Sequence, residues 1–67
     1  MFILQEIQSS NAGTNLLPAV VHGERQQAES AYYMTLSAAA ISSVPVHTVM
    51  LYDEHGNIIK RDTYEHT

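Results

Sequence analysis

The amino-acid sequence predicts an α+β domain with the element order ββαββ: a four-stranded, mainly antiparallel sheet with one helix packed on one face. Segments rich in β-forming residues occur in pairs at both ends of the chain, and residues 24–42 between them contain neither glycine nor proline. A chain of 67 residues corresponds to a single domain, 1–67. Because a chain this short buries only about 60% of its unfolded surface, we expect self-association to supplement a thin core.

The first two strands are predicted to form a hairpin. Phe2 to Gln8 (FILQEIQ) is rich in β-forming residues and predicts the first strand. Residues 9–14 (SSNAGT) are turn formers, so a longer loop is expected there. Asn15 to His22 (NLLPAVVH) predicts the second strand. Pro18 cannot donate a hydrogen bond to a ladder, which indicates an edge strand or a bulge.

The central helix is predicted from Glu24 to about Ser42. Gly23 is acceptable as an N-cap, and the acidic Glu24 suits the positive end of the helix dipole. The helix should end before Val44, since a residue that precedes proline disfavours helical geometry.

The apolar face of this helix has small residues at its centre and larger residues at its sides. At about 100° per residue, the centre comprises Ala28, Ala31, Thr35, Ala38, Ala39 and Ser42, flanked by Tyr32 and Leu36 on one side and by Met34 and Ile41 on the other. A flat centre predicts close packing on the sheet, so that Ala38→Leu would disrupt the fold or the assembly. Small residues also permit a helix–helix contact across a two-fold axis, and the sequence leaves this alternative open.

The last two strands are predicted to form a second hairpin. Val46 to Asp53 (VHTVMLYD) has the composition of a strand. Glu54 to Asn57 (EHGN) predicts a tight turn, with Gly56 in a left-handed conformation. Ile58 to Glu65 (IIKRDTYE) returns as the fourth strand.

Both faces of this hairpin are partly apolar. If Asp53 pairs with Asn57, the predicted cross-strand pairs are Tyr52–Ile58, Met50–Lys60, Thr48–Asp62 and Val46–Tyr64 on one face, and Leu51–Ile59 and Val49–Arg61 on the other. Because one helix can cover only one face, the other face is predicted to be an interaction surface. The candidate interface residues are Val46, Met50, Tyr52, Ile58 and Tyr64 of the sheet, with Met34 and Ile41 of the helix.

Charge and composition exclude several classes of partner. With three basic residues and a net charge of −4, the chain has no basic patch, so we expect no nucleic-acid binding and no membrane-surface helix. No apolar segment has transmembrane length, and Met1 to Leu4 is too short for a signal peptide. The absence of cysteine excludes disulfides and fits a reducing interior, so a cytoplasmic protein is expected.

No group of residues predicts catalysis or metal binding. The histidines, His22, His47, His55 and His66, do not have the spacing of metal ligands. The serines lie mainly at predicted turns or near the helix end, where serine bonds to local backbone, and the three glycines form no phosphate-binding motif. We therefore expect no enzyme activity, no catalytic residue, no metal and no cofactor.

Three segments give the chain an overall resemblance to a known group of proteins. They are LQEIQ (Leu4 to Gln8), AESAYYMTLSAAAISSVPVHTV (Ala28 to Val49) and YDEHGNIIK (Tyr52 to Lys60). In these segments the chain resembles short uncharacterised proteins encoded in bacterial, mainly Firmicute, genomes and their prophages. The resemblance covers most of the chain, includes no catalytic motif and carries over no site residue. It implies a phage-related accessory or structural role.

The sequence therefore predicts a non-enzymatic interaction domain that self-associates as a dimer. The alternative is a small regulator or inhibitor that docks on one protein partner through an exposed sheet face or an edge strand. A third hypothesis, an enzyme whose site forms only between subunits, requires an interfacial pocket that holds His47.

Overall fold

The computed structural model describes residues 1–66, which form five strands and one helix. The elements are β1 (Phe2–Ser10), β2 (Gly13–Leu16), β3 (Val20–His22), α1 (Arg25–Ala40), β4 (Val46–Asp53) and β5 (Ile58–Glu65). The strands form one antiparallel sheet in the order β2-β1-β4-β5, with β3 also paired to β1. The helix packs on one face of this sheet, so the predicted α+β class is confirmed, but the sheet has five strands rather than the predicted four, with three of them before the helix.

Pro18 divides the predicted second strand into β2 and β3. β2 pairs with the second half of β1 through Ile7 and Leu16, and β3 pairs with its first half through Leu4 and Val20. Between the two halves the Leu17 amide donates one hydrogen bond to the Glu6 carbonyl, at 3.0 Å. Because proline cannot donate to a ladder, this broken strand occupies the edge of the sheet, as its sequence indicates.

The turn between β1 and β2 is shorter than predicted. Ser10 pairs with Gly13, so the connection contains only Asn11 and Ala12, and the expected longer loop is wrong. Gly13 has a φ of +128°, a value that glycine adopts without the steric cost of a Cβ atom. The tight turn therefore extends β1 to Ser10.

The turn between β4 and β5 has the predicted form. The Asp53 amide donates to the Asn57 carbonyl and the Gly56 amide donates to the Asp53 carbonyl, both at 3.0 Å. Gly56 has a φ of +85°. The Asp53 carboxylate accepts hydrogen bonds from the backbone and side chain of Asn57 and from the His55 amide. These bonds, those from Asn57 above all, lower the pKa of Asp53.

A bulge beside this turn changes the register that the sequence predicts. Tyr52 pairs with Ile58 as expected, but the ladder then shifts, and Leu51 pairs with Lys60 rather than with Ile59. The remaining pairs shift by one residue on β5. The predicted pairs Met50–Lys60, Thr48–Asp62, Val46–Tyr64 and Val49–Arg61 are therefore wrong. The observed pairs are Met50–Arg61, Thr48–Thr63, Val46–Glu65 and Val49–Asp62. The physical reason is one extra residue on β5, since a bulge sets two residues against one.

The core lies between α1 and the central strands of the sheet. It consists of Leu4, Ala28, Tyr32, Val49 and Leu51, with Phe2, Ala31, Leu36 and Ile59 packed around them. Ala28 and Ala39 are almost completely buried, and their small side chains let the helix axis lie close to the strands. Tyr32 fills the remaining space as the largest buried side chain.

The helix is shorter than predicted and is turned about its axis relative to the predicted orientation. It ends at Ala40 rather than at about Ser42. Tyr32 lies in the core instead of at its margin, whereas Ala38 is exposed. The close packing predicted at Ala38 is therefore wrong, because the buried ring of Tyr32 brings its side of the helix onto the sheet.

We expect Ala39→Leu to lower the free energy of unfolding by about 1–3 kcal/mol, because the larger side chain overfills a closely packed site. Ala38→Leu adds the same side chain at the preceding, exposed position and should change stability by less than about 0.5 kcal/mol. Chemical denaturation of both variants at one protein concentration measures the difference. Equal stabilities would show that α1 does not pack through Ala39.

Candidate interaction surfaces

The face of the sheet opposite α1 carries both apolar and polar side chains, the polar ones being Gln5, Ser9, Thr14, Thr48, Arg61, Thr63 and Glu65. Leu4 and Leu51 pair in the core, so their neighbours Ile3 and Tyr52, which also pair, lie on the other face. The apolar residues on this open face are Ile3, Ile7, Leu16, Val21, Val46, Met50, Tyr52 and Ile58. Four of them form a continuous row across the sheet, in the order Val21, Ile3, Tyr52 and Ile58.

The open face carries almost none of the chain's charge. Of the seven acidic residues in the sequence, Glu65 lies on this face, and the others lie on the helix or at its N-cap, in the β4–β5 turn or on the helix-covered side of the sheet. Arg61 is the basic residue of the open face. A chain with a net charge of −4 thus presents one surface with equal numbers of acidic and basic side chains.

The polar groups near the centre of the open face bond to each other. The Tyr52 hydroxyl donates to Gln5 Oε1 at 3.2 Å. Gln5 lies between Ile3 and Ile7 on β1, beside Met50 of β4. Because this hydrogen bond forms within one chain, the Tyr52 hydroxyl and Gln5 Oε1 keep a partner when the face is covered.

The structure brings four of the predicted interface residues together and separates the other three. Val46, Met50, Tyr52 and Ile58 all lie on the open face. Tyr64 pairs with His47 on the helix-covered side, because the bulge moves it there. Met34 on α1 and Ile41 at the C-terminal end of α1 are 70% and 89% exposed, in the other layer of the domain.

The helix-covered side contains a buried polar pair that the sequence does not reveal. His47 is almost completely buried and its ring shares a hydrogen bond with Glu6, at 2.5 Å from Nδ1 to Oε2. Gln8 Nε2 donates to the same carboxylate oxygen at 3.3 Å. The sequence signal is the spacing along each strand. Glu6 is two residues from Leu4, and His47 is two residues from Val49, so each polar residue lies on the same face as a core residue.

A second polar contact ties α1 to the outer strand β5. The Tyr32 hydroxyl donates to Asp62 Oδ2 at 2.7 Å. Burial of the ring and this hydrogen bond to a carboxylate raise the pKa of Tyr32 well above its ordinary value. Beside it, Lys60 Nζ lies 3.7 Å from Glu29 Oε2 and 5.6 Å from the centre of the Tyr33 ring.

Residues 1–66 contain no cluster of three His, Asp or Glu side chains placed to hold a metal ion. Within the same range, α1 lacks the length and apolar character needed to cross a bilayer. Comparisons with protein-family models, curated proteins and solved structures find no match to this chain. Its function must therefore be inferred from its own surfaces.

The raised pKa of Tyr32 makes the free energy of unfolding depend on pH in the alkaline range. Its folded pKa is raised, so above about pH 10 the unfolded chain loses this proton while the folded chain keeps it. The contribution of Tyr32 to the free energy of unfolding should therefore be constant below that pH and decrease as the pH rises beyond it. Tyr32→Phe should lower stability by about 1–2 kcal/mol at neutral pH and flatten the alkaline decrease.

Tyr64→Phe is the matched control, because Tyr64 is a 39% exposed tyrosine of β5. Denaturant unfolding of the three proteins between pH 7 and 11 measures both effects. An alkaline decrease that is equally steep in wild type and Tyr32→Phe would assign the pH dependence to other groups.

Proposed function

We propose that this chain is a non-enzymatic interaction domain that forms a homodimer by burying its open sheet face against that of a second copy. The observation that carries the proposal is the apolar open face together with its charge. Eight apolar side chains share the surface, and contiguous apolar surface of this kind marks interaction sites in small proteins.

The charge distribution favours a second copy as the occupant of this face. Two chains of net charge −4 repel each other at most surfaces. On the open face the repulsion is weakest, because Glu65 and Arg61 are its charged residues. A two-fold contact presents the same patch twice, and a patch that is apolar and nearly neutral can face itself without like-charge contacts.

The other exposed apolar residues support this choice less well. Met34 lies on α1 and Ile41 is the residue that caps its C-terminal end, with exposed Ala38 between them. They form a narrow strip beside the helix rather than a continuous face. The helix–helix dimer that small residues would permit therefore has less apolar surface to bury than the sheet–sheet dimer.

We also propose that the chain has no enzyme activity and no cofactor. Its location would be cytoplasmic, and its role would be a phage-related accessory or structural one. The lack of cysteine supports a reducing compartment, and the resemblance to prophage-encoded proteins supports the biological setting. No nucleic acid or membrane is proposed as a partner, since the three basic residues form no patch.

A regulator that docks on another protein is the second candidate. The observation that favours it is the outer edge of β5, an eight-residue strand at the end of the sheet order. Such an edge can add a strand from another protein through main-chain hydrogen bonds. A chain that stays monomeric at high concentration would favour this candidate over the homodimer.

We expect Met50→Glu to weaken dimerisation at least about tenfold, because a carboxylate at the centre of the open face loses water when the dimer forms. Met34→Glu makes the same change on the exposed strip of α1 and should leave the dimer intact. Sedimentation velocity across a wide concentration range, with circular dichroism to confirm folding, compares the variants. A folded Met50→Glu protein that dimerises like wild type would refute the proposed interface.

A further inference from the structure

A groove separate from the open face lies between α1 and the broken edge strand. It has a volume of about 150 Å³ and is lined by Leu4, Glu6, Leu17, Pro18, Val20 and Thr35. The groove lies where β2 ends at Leu16 and β3 begins at Val20. Because the chain around Pro18 does not continue the strand, it leaves a gap beside β1 at this point. It lies on the helix-covered side of the sheet, away from the proposed dimer interface.

The polar group available in this groove is the Glu6 carboxylate. Its side chain is 15% exposed, and its hydrogen bonds to His47 and Gln8 both end on Oε2. Within residues 1–66, Oε1 accepts no hydrogen bond. A carboxylate with a free oxygen in a mostly apolar groove is well placed to accept a strong, charge-assisted hydrogen bond from a bound cation.

In the described part of the chain, the neighbouring side chains leave the second oxygen of Glu6 without a partner. His47 Nδ1 shares its hydrogen bond with Oε2, so it does not occupy Oε1. Arg25 and Lys60 both contact Glu29, and Arg61 lies on the open face. None of the three basic side chains therefore pairs with Glu6.

The size of the groove limits what can occupy it. An apolar cavity of about 150 Å³ holds one benzene-sized group, whereas pockets for drug-sized ligands and cofactors measure roughly 300–1,000 Å³. The walls contributed by Leu4, Leu17 and Val20 suit an apolar body, and Glu6 suits one positive charge.

We propose that this groove binds a small primary ammonium compound, with its apolar group against Leu4, Leu17 and Val20 and its ammonium donating to Glu6 Oε1. A ligand with so few heavy atoms binds weakly, with a dissociation constant on the order of 1 mM. The charge should contribute at least about tenfold to this affinity.

Benzylammonium tests the proposal, with benzyl alcohol as the uncharged probe of similar shape. Titration of the ¹⁵N-labelled chain at neutral pH should shift the amide signals of Leu4, Glu6, Leu17, Val20 and Thr35. Benzyl alcohol should bind at least about tenfold more weakly. Equal affinity for the two probes, or no saturable shifts with benzylammonium, would overturn the proposal.

Two variants locate the site. Glu6→Gln should weaken benzylammonium binding to the level of benzyl alcohol, and Val20→Phe should abolish binding by filling the groove without changing the Glu6–His47 pair. Ser37→Phe adds the same ring on the exposed side of α1 and should bind as wild type. Because Val20 is half exposed, Val20→Phe should fold even if Glu6→Gln does not, and unchanged binding by it would show that the groove is not the site.

Discussion

The fold is constrained by the fact that one helix of 16 residues can cover only one face of the sheet. A sheet stabilises a small domain by burying apolar side chains against a second layer. Here α1 buries Leu4, Val49 and Leu51, and the opposite face, with Ile3, Met50 and others, is not covered by the helix. The same limit explains why a chain of 67 residues without disulfides or a metal cluster in residues 1–66 is expected to depend on association.

The small residues of α1 and the polar pairs beneath it both set the position of the helix on the sheet. Ala28 and Ala39 bring the helix close to the strands, and Tyr32 reaches past the core to bond Asp62 on β5. Farther along the sheet, the Glu6–His47 pair replaces apolar packing between β1 and β4. Partly buried pairs of this kind favour one arrangement of the elements, since a shifted register would leave each partner without its hydrogen bond.

Alternation along a strand predicts the elements and, of the eight apolar residues of the open face, the four that lie on β4 and β5. Val46, Met50, Tyr52 and Ile58 were identified because residues two apart share a face. Tyr64 was placed wrongly because a single extra residue beside the turn, at Ile59, reverses the faces that follow it. The Glu6–His47 pair joins residues 41 positions apart, and a contact so distant in sequence depends on a β1–β4 register that local patterns do not contain. The rotation of α1, which exposes Ala38, likewise depends on where Tyr32 finds its partner.

The central claim is that a second copy covers the open face. The most direct test is to mix isotope-labelled and unlabelled chains and to record nuclear Overhauser effects between them. If the open faces form the dimer, intermolecular contacts should come from the side chains of Ile3, Met50, Tyr52 and Ile58. Intermolecular contacts confined to Met34 and Ile41, or none at concentrations where every chain would be paired, would contradict it.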